Sequence, residues 1–411
     1  MARYIDTHPR PTRPDQRPHR RGRRSEHDVV VVGARVAGAA TALLLARAGH
    51  DVVMVDRSRP SRDTSSTHSF ARAGVVQLQR WGLLDEVVAS GAPEIRSVSF
   101  HHAGEAVHHT LKDRAGVDFL VAPRRYVLDD LLARAAVEAG ARLVTDTTVS
   151  GLQWSDGRVT GVHAHDQDDT PLELTGRLVV GADGIRSGVA REVGAPIVQR
   201  YAPTGSCFYT YVSGVPWDGI ELYVEDGAFA GVFPTHHGEA CVWLIRPIEQ
   251  MEPVITAGAH RLGAWMASLE RAVPALARKV RSGNVTAPLR GYVALPNHVR
   301  RAAGPGWSLV GDAGYHRDPI TGHGMTDAFR DAELLAEAAD TVLRGICPER
   351  VAMRRYEQER DAALAPVFEI TRALGAFPPA AEFLDLQARL SRALDAEAMR
   401  MADRPAPYAL A

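Results

Sequence analysis

Regular patterning along the chain begins at Asp28. The apolar run Val29 to Val32 reads as a buried strand, Gly33 to Ala40 as a glycine- and alanine-rich turn, and Thr41 to Ala48 as a helix stopped by Gly49. His50 to Asp56 supplies a second apolar strand that ends in an acid. Strand, tight turn, helix and strand is the opening of a doubly wound α/β domain. Val75, Leu78, Trp81 and Leu84 then recur at helical spacing within Arg72 to Ala89, although Gly82 weakens the continuity. Val127, Leu131 and Leu132 line a helix over Arg125 to Ala139, ended by Gly140. Arg142 to Thr145 reads as a strand, and the segments around Leu152 and Val159 to His163, joined by Asp156-Gly157, as an antiparallel excursion. Leu178 to Val180 returns to the main sheet.

Between Ser206 and Pro247 the pattern changes to aromatic and β-branched runs punctuated by Asp226-Gly227 and His237-Gly238, which predicts an antiparallel sheet. Tyr209 and Tyr211 share one face of a regular strand there. Trp265 to Val280 predicts a helix despite Pro274, Trp307 to Val310 a last strand, and Met325 to Leu343 a long helix. Met353 to Leu374 and Ala380 to Met401 read as a helical end region interrupted near Pro366.

Composition narrows the function. At 411 residues and 45% hydrophobic, the chain is long enough for more than one packing unit. A formal net charge of -1 provides no global field for nucleic acid or an anionic membrane. Basic charge is local: the stretch from Met1 to His27 carries eight arginines and four prolines with almost no apolar run, so it reads as a disordered arm. No run is long enough to cross a bilayer and no secretory signal is present, so the expectation is a cytoplasmic protein without integral membrane association. Three cysteines without a CxxC pair, and histidine pairs that alternate faces, give no metal site.

The chemistry lies in three loops. The first, Gly33-Ala34-Arg35-Val36-Ala37-Gly38, is a dinucleotide fingerprint with arginine where a glycine is usual. Gly33 makes the tight turn, Gly38 permits close helix packing, and the helix N-terminus offers donors to a pyrophosphate. Asp56 is placed to accept hydrogen bonds from an adenosine ribose, with Arg57 beside it. The second loop, Gly181-Ala182-Asp183-Gly184, and the third, Gly311-Asp312, each follow a strand.

With Gly181 to Ser187 in the middle and Gly311-Asp312, Asp318-Pro319 and Gly322-His323-Gly324-Met325 late, the sequence resembles the FAD-dependent aromatic hydroxylases, the group A flavin monooxygenases, with geranylgeranyl reductases and flavin-dependent halogenases as relatives. The resemblance covers Asp28 to Ala338. It implies an α/β protein with a Rossmann-like FAD-binding domain, an antiparallel substrate sheet and a helical C-terminal region. The expected division is 1–27 arm, 28–200 first part of the FAD-binding domain, 201–300 substrate sheet, 301–345 closing part and 346–411 helical region.

By the same resemblance Asp312 binds the ribityl chain or an adjoining oxygen, and Gly322 to Met325 place backbone donors at the flavin pyrimidine edge. Pro319 lies near the isoalloxazine, Arg125 and Arg72 help hold the cofactor, and Asp183-Gly184 organise it. The arginine that relatives carry three residues after the motif serine is absent, since Ala190 stands there and Arg191 follows. His316 and His323 are candidates to stabilise reduced flavin or a substrate phenolate; Tyr209, Tyr211, Phe233 and His236 are candidates to line the substrate pocket, with His68 a further polar candidate.

One dinucleotide opening without a second implies that NADH or NADPH visits transiently or that a partner flavin reductase supplies electrons. The implied activity is oxygenation of an aromatic or polyketide-like small molecule by dioxygen through a flavin C4a-hydroperoxide. A reductase or dehydrogenase is the alternative; Gly231, where geranylgeranyl reductases commonly carry tryptophan, argues modestly against it. A halogenase fits less well because Lys112 and Lys279, the two lysines, match no halogenase lysine motif. A non-catalytic flavin-binding partner is the remaining reading.

Overall fold

The computed structural model describes residues 23–59, 64, 66 and 68–405. The chain opens with β1 (Arg23–Val32), α1 (Val36–Arg47) and β2 (Val52–Val55), followed by α2 (Arg72–Arg80) and α3 (Leu84–Ala89). Next come the hairpin β3 (Ser97–His102) and β4 (Glu105–Thr110), α4 (Arg125–Glu138), β5 (Arg142–Val144), β6 (Thr147–Ser155), β7 (Arg158–Asp166), β8 (Pro171–Gly181), α5 (Gly188–Glu192) and β9 (Ile197–Tyr201). The middle of the chain contributes β10 (Gly205–Ser213), β11 (Ile220–Glu225), β12 (Ala228–Pro234), β13 (Ala240–Pro247), α6 (Glu252–Thr256), α7 (Arg261–Ala272), α8 (Pro274–Ser282), β14 (Asn284–Val285) and β15 (Arg290–Val293). It closes with β16 (Asn297–Arg300), β17 (Ala303–Gly304), β18 (Trp307–Leu309), β19 (Tyr315–His316), α9 (Gly324–Leu343), α10 (Glu349–Gly375) and α11 (Ala380–Ala402).

The first sheet runs β17-β18-β8-β1-β2-β5, with β18, β8, β1, β2 and β5 parallel to one another and β17 antiparallel to β18. The valines of β1 are buried on both faces, as a central parallel strand requires. On one side α1 packs with α4 and α9 in a core of small and aliphatic residues. The predicted excursion is the β6–β7 hairpin, which joins β8 antiparallel.

The second sheet runs β14-β10-β13-β12-β11-β3-β4, with β15 also on β10. Period-2 alternation divides its side chains between two cores. Cys207, Tyr209, Tyr211, Phe229, Phe233, Cys241 and Trp243 face α10 and α11, whereas Phe208, Val212, Ala230, Val242 and Leu244 face α7 and α8. A small third sheet runs β19-β16-β9, all antiparallel.

Several expectations change. β1 starts at Arg23 and pairs Arg23 to His27 with Leu172 to Gly176, so the strand begins inside the stretch assigned to the arm; residues 1–22 lie outside the described residues. The β3–β4 hairpin, numbered within 28–200, extends the second sheet through parallel pairing of β3 with β11. The helix read over Arg72 to Ala89 splits at Gly82, which has φ +71°. The helix over Trp265 to Val280 splits at Val273, held at φ -139° and ψ 70° because Pro274 disfavours helical geometry in the preceding residue. By contrast α10 continues through Pro366. Among the described residues no helix is long and apolar enough to cross a membrane.

Candidate functional site

Three loops meet at the carboxyl ends of β1, β8 and β18, where a doubly wound sheet forms its crevice. The Gly33 amide donates to Val55 O (2.8 Å), that of Ala182 to Val32 O (2.8 Å) and that of Val310 to Gly181 O (3.0 Å). Gly33 has φ +103°, and a Cβ there would lie 2.5 Å from Ala182 O, so the first and second loops touch through backbone. A Cβ on Gly38 would lie 1.8 Å from Gly33 O, and one on Gly311 2.9 Å from Ala37 Cβ, which brings the third loop onto the first turn of α1.

Arg35 is accommodated simply. Its backbone is extended at φ -101°, a conformation that does not call for glycine, and its guanidinium turns to Ser58 Oγ (3.3 Å). Asp56 knits this end together, accepting from the Ala34 amide (2.8 Å) and the Ser58 amide (2.9 Å), while Arg57 is exposed. Asp183 does not reach out: its carboxylate takes the Ser187 hydroxyl and the amides of Gly188 (2.6 Å) and Val189 (3.2 Å), capping α5 and fixing the shape of the loop that Gly184 leaves at φ +80°.

Arg125 opens α4 but is buried in a fork with Asp129, both bonds 3.0 Å. Burial alone would lower its pKa, yet Asp129, with Tyr292 and Asp312 nearby, raises it and keeps the charge. Arg72 is held by Val117 O and by Asp395 (3.2 Å), tethering α2 to α11. Asp312 is exposed at the end of β18.

The late loop turns at Gly322 (φ +60°) and starts the 20-residue α9 at the exposed Gly324, followed by the buried Met325. The first amides of such a helix have no intrahelical partner and carry the positive end of its dipole. Asp318 accepts from the Ile320 amide (3.0 Å) and donates its own amide to Asn297 Oδ1 (2.6 Å), so the partly exposed Pro319 is held on a rigid turn. Burial raises the Asp318 pKa. A cavity of about 470 Å³ is bordered by Asp318 of this turn together with Tyr201, Thr204, Asn297 and Arg372.

His316 and His323 flank Pro319 in sequence but separate in space. His316 Nδ1 bonds Pro296 O (2.7 Å) in the third sheet. His323 is 2% exposed, behind the start of α9, with Nε2 on Glu397 Oε2 (3.0 Å). His323, Asp327 and Glu397 offer atoms within 4.8 Å of one another, spacing that suits a metal ion, but the Arg330 guanidinium already sits among them, 2.8 Å from Asp327 and 3.0 Å from Glu397.

On the second sheet, Tyr209 and Tyr211 do share a face and Phe233 joins them, all buried. The Tyr209 hydroxyl accepts from the Ser66 amide (2.8 Å), and the Tyr211 hydroxyl is hydrogen-bonded to His68 Nε2. The Arg124 guanidinium lies 3.6 Å over the Tyr211 ring. Burial, then the charges of Arg124 and Arg125, push the His68 pKa well down, so it is a neutral partner for Tyr211. His236 is spent on structure: Nδ1 accepts from the Arg124 amide (3.3 Å) at the start of α4, and Nε2 meets Ser90 Oγ (3.0 Å). Burial lowers its pKa to about 4. Gly231 lies under the Trp243 indole, where a Cβ would come within 2.4 Å of the ring.

Arg124, Arg330 and Glu397 were not singled out by sequence. Asp327, Arg330 and Asp331 recur at helical spacing in a segment otherwise rich in alanine and leucine, which is a readable signal for a buried ionic cluster. Glu397 had none, being 74 residues from its partner His323.

Glycine turns in backbone contact, two helix N-termini and an exposed acid at one crevice fit a dinucleotide with a pyrophosphate and ribityl chain, and define an FAD-dependent oxidoreductase. The chain belongs to the FAD binding domain family, whose model matches residues 26–371. Menaquinone reductase of Mycolicibacterium smegmatis is 29% identical over 324 residues, 75% of each chain. Digeranylgeranylglycerophospholipid reductase 1 of Methanopyrus kandleri is 27% identical over 391 residues, 91% of this chain and 96% of its own. Among solved structures, PqsL of P. aeruginosa in complex with 2-aminobenzoylacetate superposes with TM-score 0.74 at 26% identity, over 90% of this chain and 100% of that one. The myxobacterial chondrochloren halogenase CndH shares the fold, with TM-score 0.77 at 20% identity over 89% of this chain and 86% of that one.

Proposed function

We propose that this FAD-dependent oxidoreductase is a monooxygenase that oxygenates an aromatic or polyketide-like small molecule held between the second sheet and the loop Asp318 to Met325. The observation that carries the reading is the packing of Ile320, from that loop, in one apolar cluster with Tyr209, Tyr211, Phe229, Phe233 and Trp243. An aromatic-rich sheet face and the flavin-motif loop thus meet at one place, where a planar substrate can be kept from water. The likeness to PqsL, described as a probable FAD-dependent monooxygenase and seen with 2-aminobenzoylacetate bound, supports the same reading.

Gly33 and Gly38 would let the backbone approach the pyrophosphate of FAD, Asp312 would hold its ribityl chain, and the start of α9 would offer amides to its pyrimidine edge. When bound, FAD supplies electron transfer from NADH or NADPH, or from a partner flavin reductase, and the activation of dioxygen. The Tyr211 hydroxyl and His68 hold a proton at the sheet face, and Arg124 over the Tyr211 ring favours negative charge beside it.

A second reading, a reductase acting on an isoprenoid chain, has its own support. The named sequence relatives are reductases, and although Gly231 stands where geranylgeranyl reductases commonly carry tryptophan, the Trp243 ring lies over that glycine. Gly231 therefore does not leave this face without an indole. Turnover with isotopically labelled dioxygen separates the two: the monooxygenase incorporates label into an aromatic product and is idle without oxygen. Product formed anaerobically with no label selects the reductase.

A further inference from the structure

The buried charge cluster behind the late loop joins elements far apart in sequence. Arg330 is 1% exposed, and every N–H of its guanidinium has an acceptor: Nε bonds Asp331 Oδ1 (3.2 Å), Nη1 bonds Asp327 Oδ1 (2.8 Å) and Glu397 Oε1 (3.0 Å), and Nη2 bonds Tyr315 Oη (2.7 Å) and Asp331 Oδ1 (2.9 Å). The other oxygen of Glu397 takes His323 Nε2, and Arg317 approaches Asp327 Oδ2 to 2.5 Å. Tyr315, Arg317, His323 and Asp327 all belong to the segment that runs from the end of β18 through the flavin-motif turn into α9. Glu397 alone comes from α11, beyond the residues 26–371 matched by the family.

We infer that Glu397 is a positioning residue for the cofactor loop, and that FAD binding and the docking of the C-terminal half of α11 are one coupled equilibrium. Three observations carry this. The Glu397 carboxylate is 3% exposed and uses one oxygen on the N-cap residue of α9 and the other on Arg330, so it fixes the start of the helix that packs beside the third loop, where a Cβ on Gly311 would lie 3.6 Å from Ala328 Cβ. A carboxylate so buried is tolerated only while both partners stay in place, which makes the arrangement all-or-none rather than gradual. Finally, α11 straddles the molecule: Phe383, Leu386 and Leu390 pack in the core under the second sheet, whereas Ala398 and Met401 pack in the core of the FAD-binding half. The two ends of one helix therefore report on different cores.

Coupling of this kind is reciprocal. A bound cofactor that orders Pro319 to Met325 favours the docked carboxylate, and the docked carboxylate preorganises the loop for the cofactor. His323 transmits the link without facing the crevice, since its imidazole is enclosed.

The test is hydrogen exchange across residues 380–402 of the full chain, with and without FAD, together with the FAD Kd from flavin fluorescence. In the unmodified chain FAD slows exchange around Glu397. In Glu397→Gln the Kd rises about tenfold, and FAD still slows exchange in α1 but no longer in α11. Leu390→Ala, which loosens the packing of α11 under the second sheet, lowers thermal stability and changes the Kd by less than about twofold. Three results overturn the inference: FAD leaving α11 exchange unchanged in the unmodified chain, Glu397→Gln keeping both affinity and α11 protection, or both variants weakening FAD equally. If Glu397→Gln does not fold, the unmodified chain still decides: slower α11 exchange with FAD supports the coupling, and unchanged exchange overturns it.

Discussion

His236 shows how a polar residue near a candidate pocket can be spent on architecture. Its Nδ1 accepts the Arg124 amide where α4 starts, so the neutral ring is the form that fits, and burial holds its pKa at about 4 against an ordinary 6.5. His298, buried beside Arg300 and His316, is depressed to about 4 first by burial and then by those charges. For both, the unfolded chain binds a proton below 6.5 that the folded chain refuses until about 4. Their contribution to stability is therefore complete above 6.5 and is lost as pH falls towards 4. Urea unfolding between those limits should show stability falling with pH, and His236→Gln should flatten that slope while lowering stability at neutral pH. A slope unchanged in the variant removes His236 from the account. At this scale the sequence was readable where a side chain acts through its own strand or turn: the common face of Tyr209 and Tyr211, or the tight turn at Gly33. It was silent on whether His236 and His323 face a pocket or a helix end, because that depends on Arg124 and Glu397, whose proximity only the fold creates.

Among the elements, breaks and continuities followed local chemistry unevenly. Val273 leaves the helical region because Pro274 follows it, and Gly82 turns the chain between α2 and α3. Pro366 does neither. It lies in the interior of a 27-residue helix, exposed, while Leu364, Val367 and Phe368 around it are buried. Tertiary packing outweighs the missing amide and the ring's clash with the preceding turn, a local cost of about 3 kcal/mol in a helix interior. Pro366→Ala should therefore stabilise the protein, by about 1–2 kcal/mol after allowing for the greater freedom of the unfolded chain. Chemical denaturation with an unchanged m value checks it, and a loss of stability would mean that the helix is built around the proline. The hairpin β3–β4 was missed altogether, since its exposed β4 carries little apolar alternation and its place is set by β11, more than a hundred residues later.

At the scale of the molecule, the crevice is assembled from segments that each need the others. Gly33 leans on Ala182, Gly311 on Ala37, and the start of α9 on Glu397, so most changes there disturb fold and cofactor site together. Asp312 is the exception. It is exposed at the crevice, and its neighbours Gly311 and Ala313 rather than its carboxylate hold the turn. Asp312→Asn should leave the stability of the cofactor-free protein within about 0.5 kcal/mol, as for other exposed substitutions, while weakening FAD binding about tenfold or more. Gly33→Ala should lose both, because the new Cβ meets the Ala182 carbonyl and the backbone is left-handed. Ligand linkage makes the contrast measurable: the stabilisation conferred by a given excess of FAD grows with the logarithm of its concentration over Kd, so a tenfold weaker site loses about 1.4 kcal/mol of it. Thermal unfolding with and without FAD should thus show Asp312→Asn matching the unmodified chain when cofactor-free and falling below it when loaded. A drop in the cofactor-free protein as well would place Asp312 in the structural network of the loop, and an unchanged FAD response would remove it from the cofactor site.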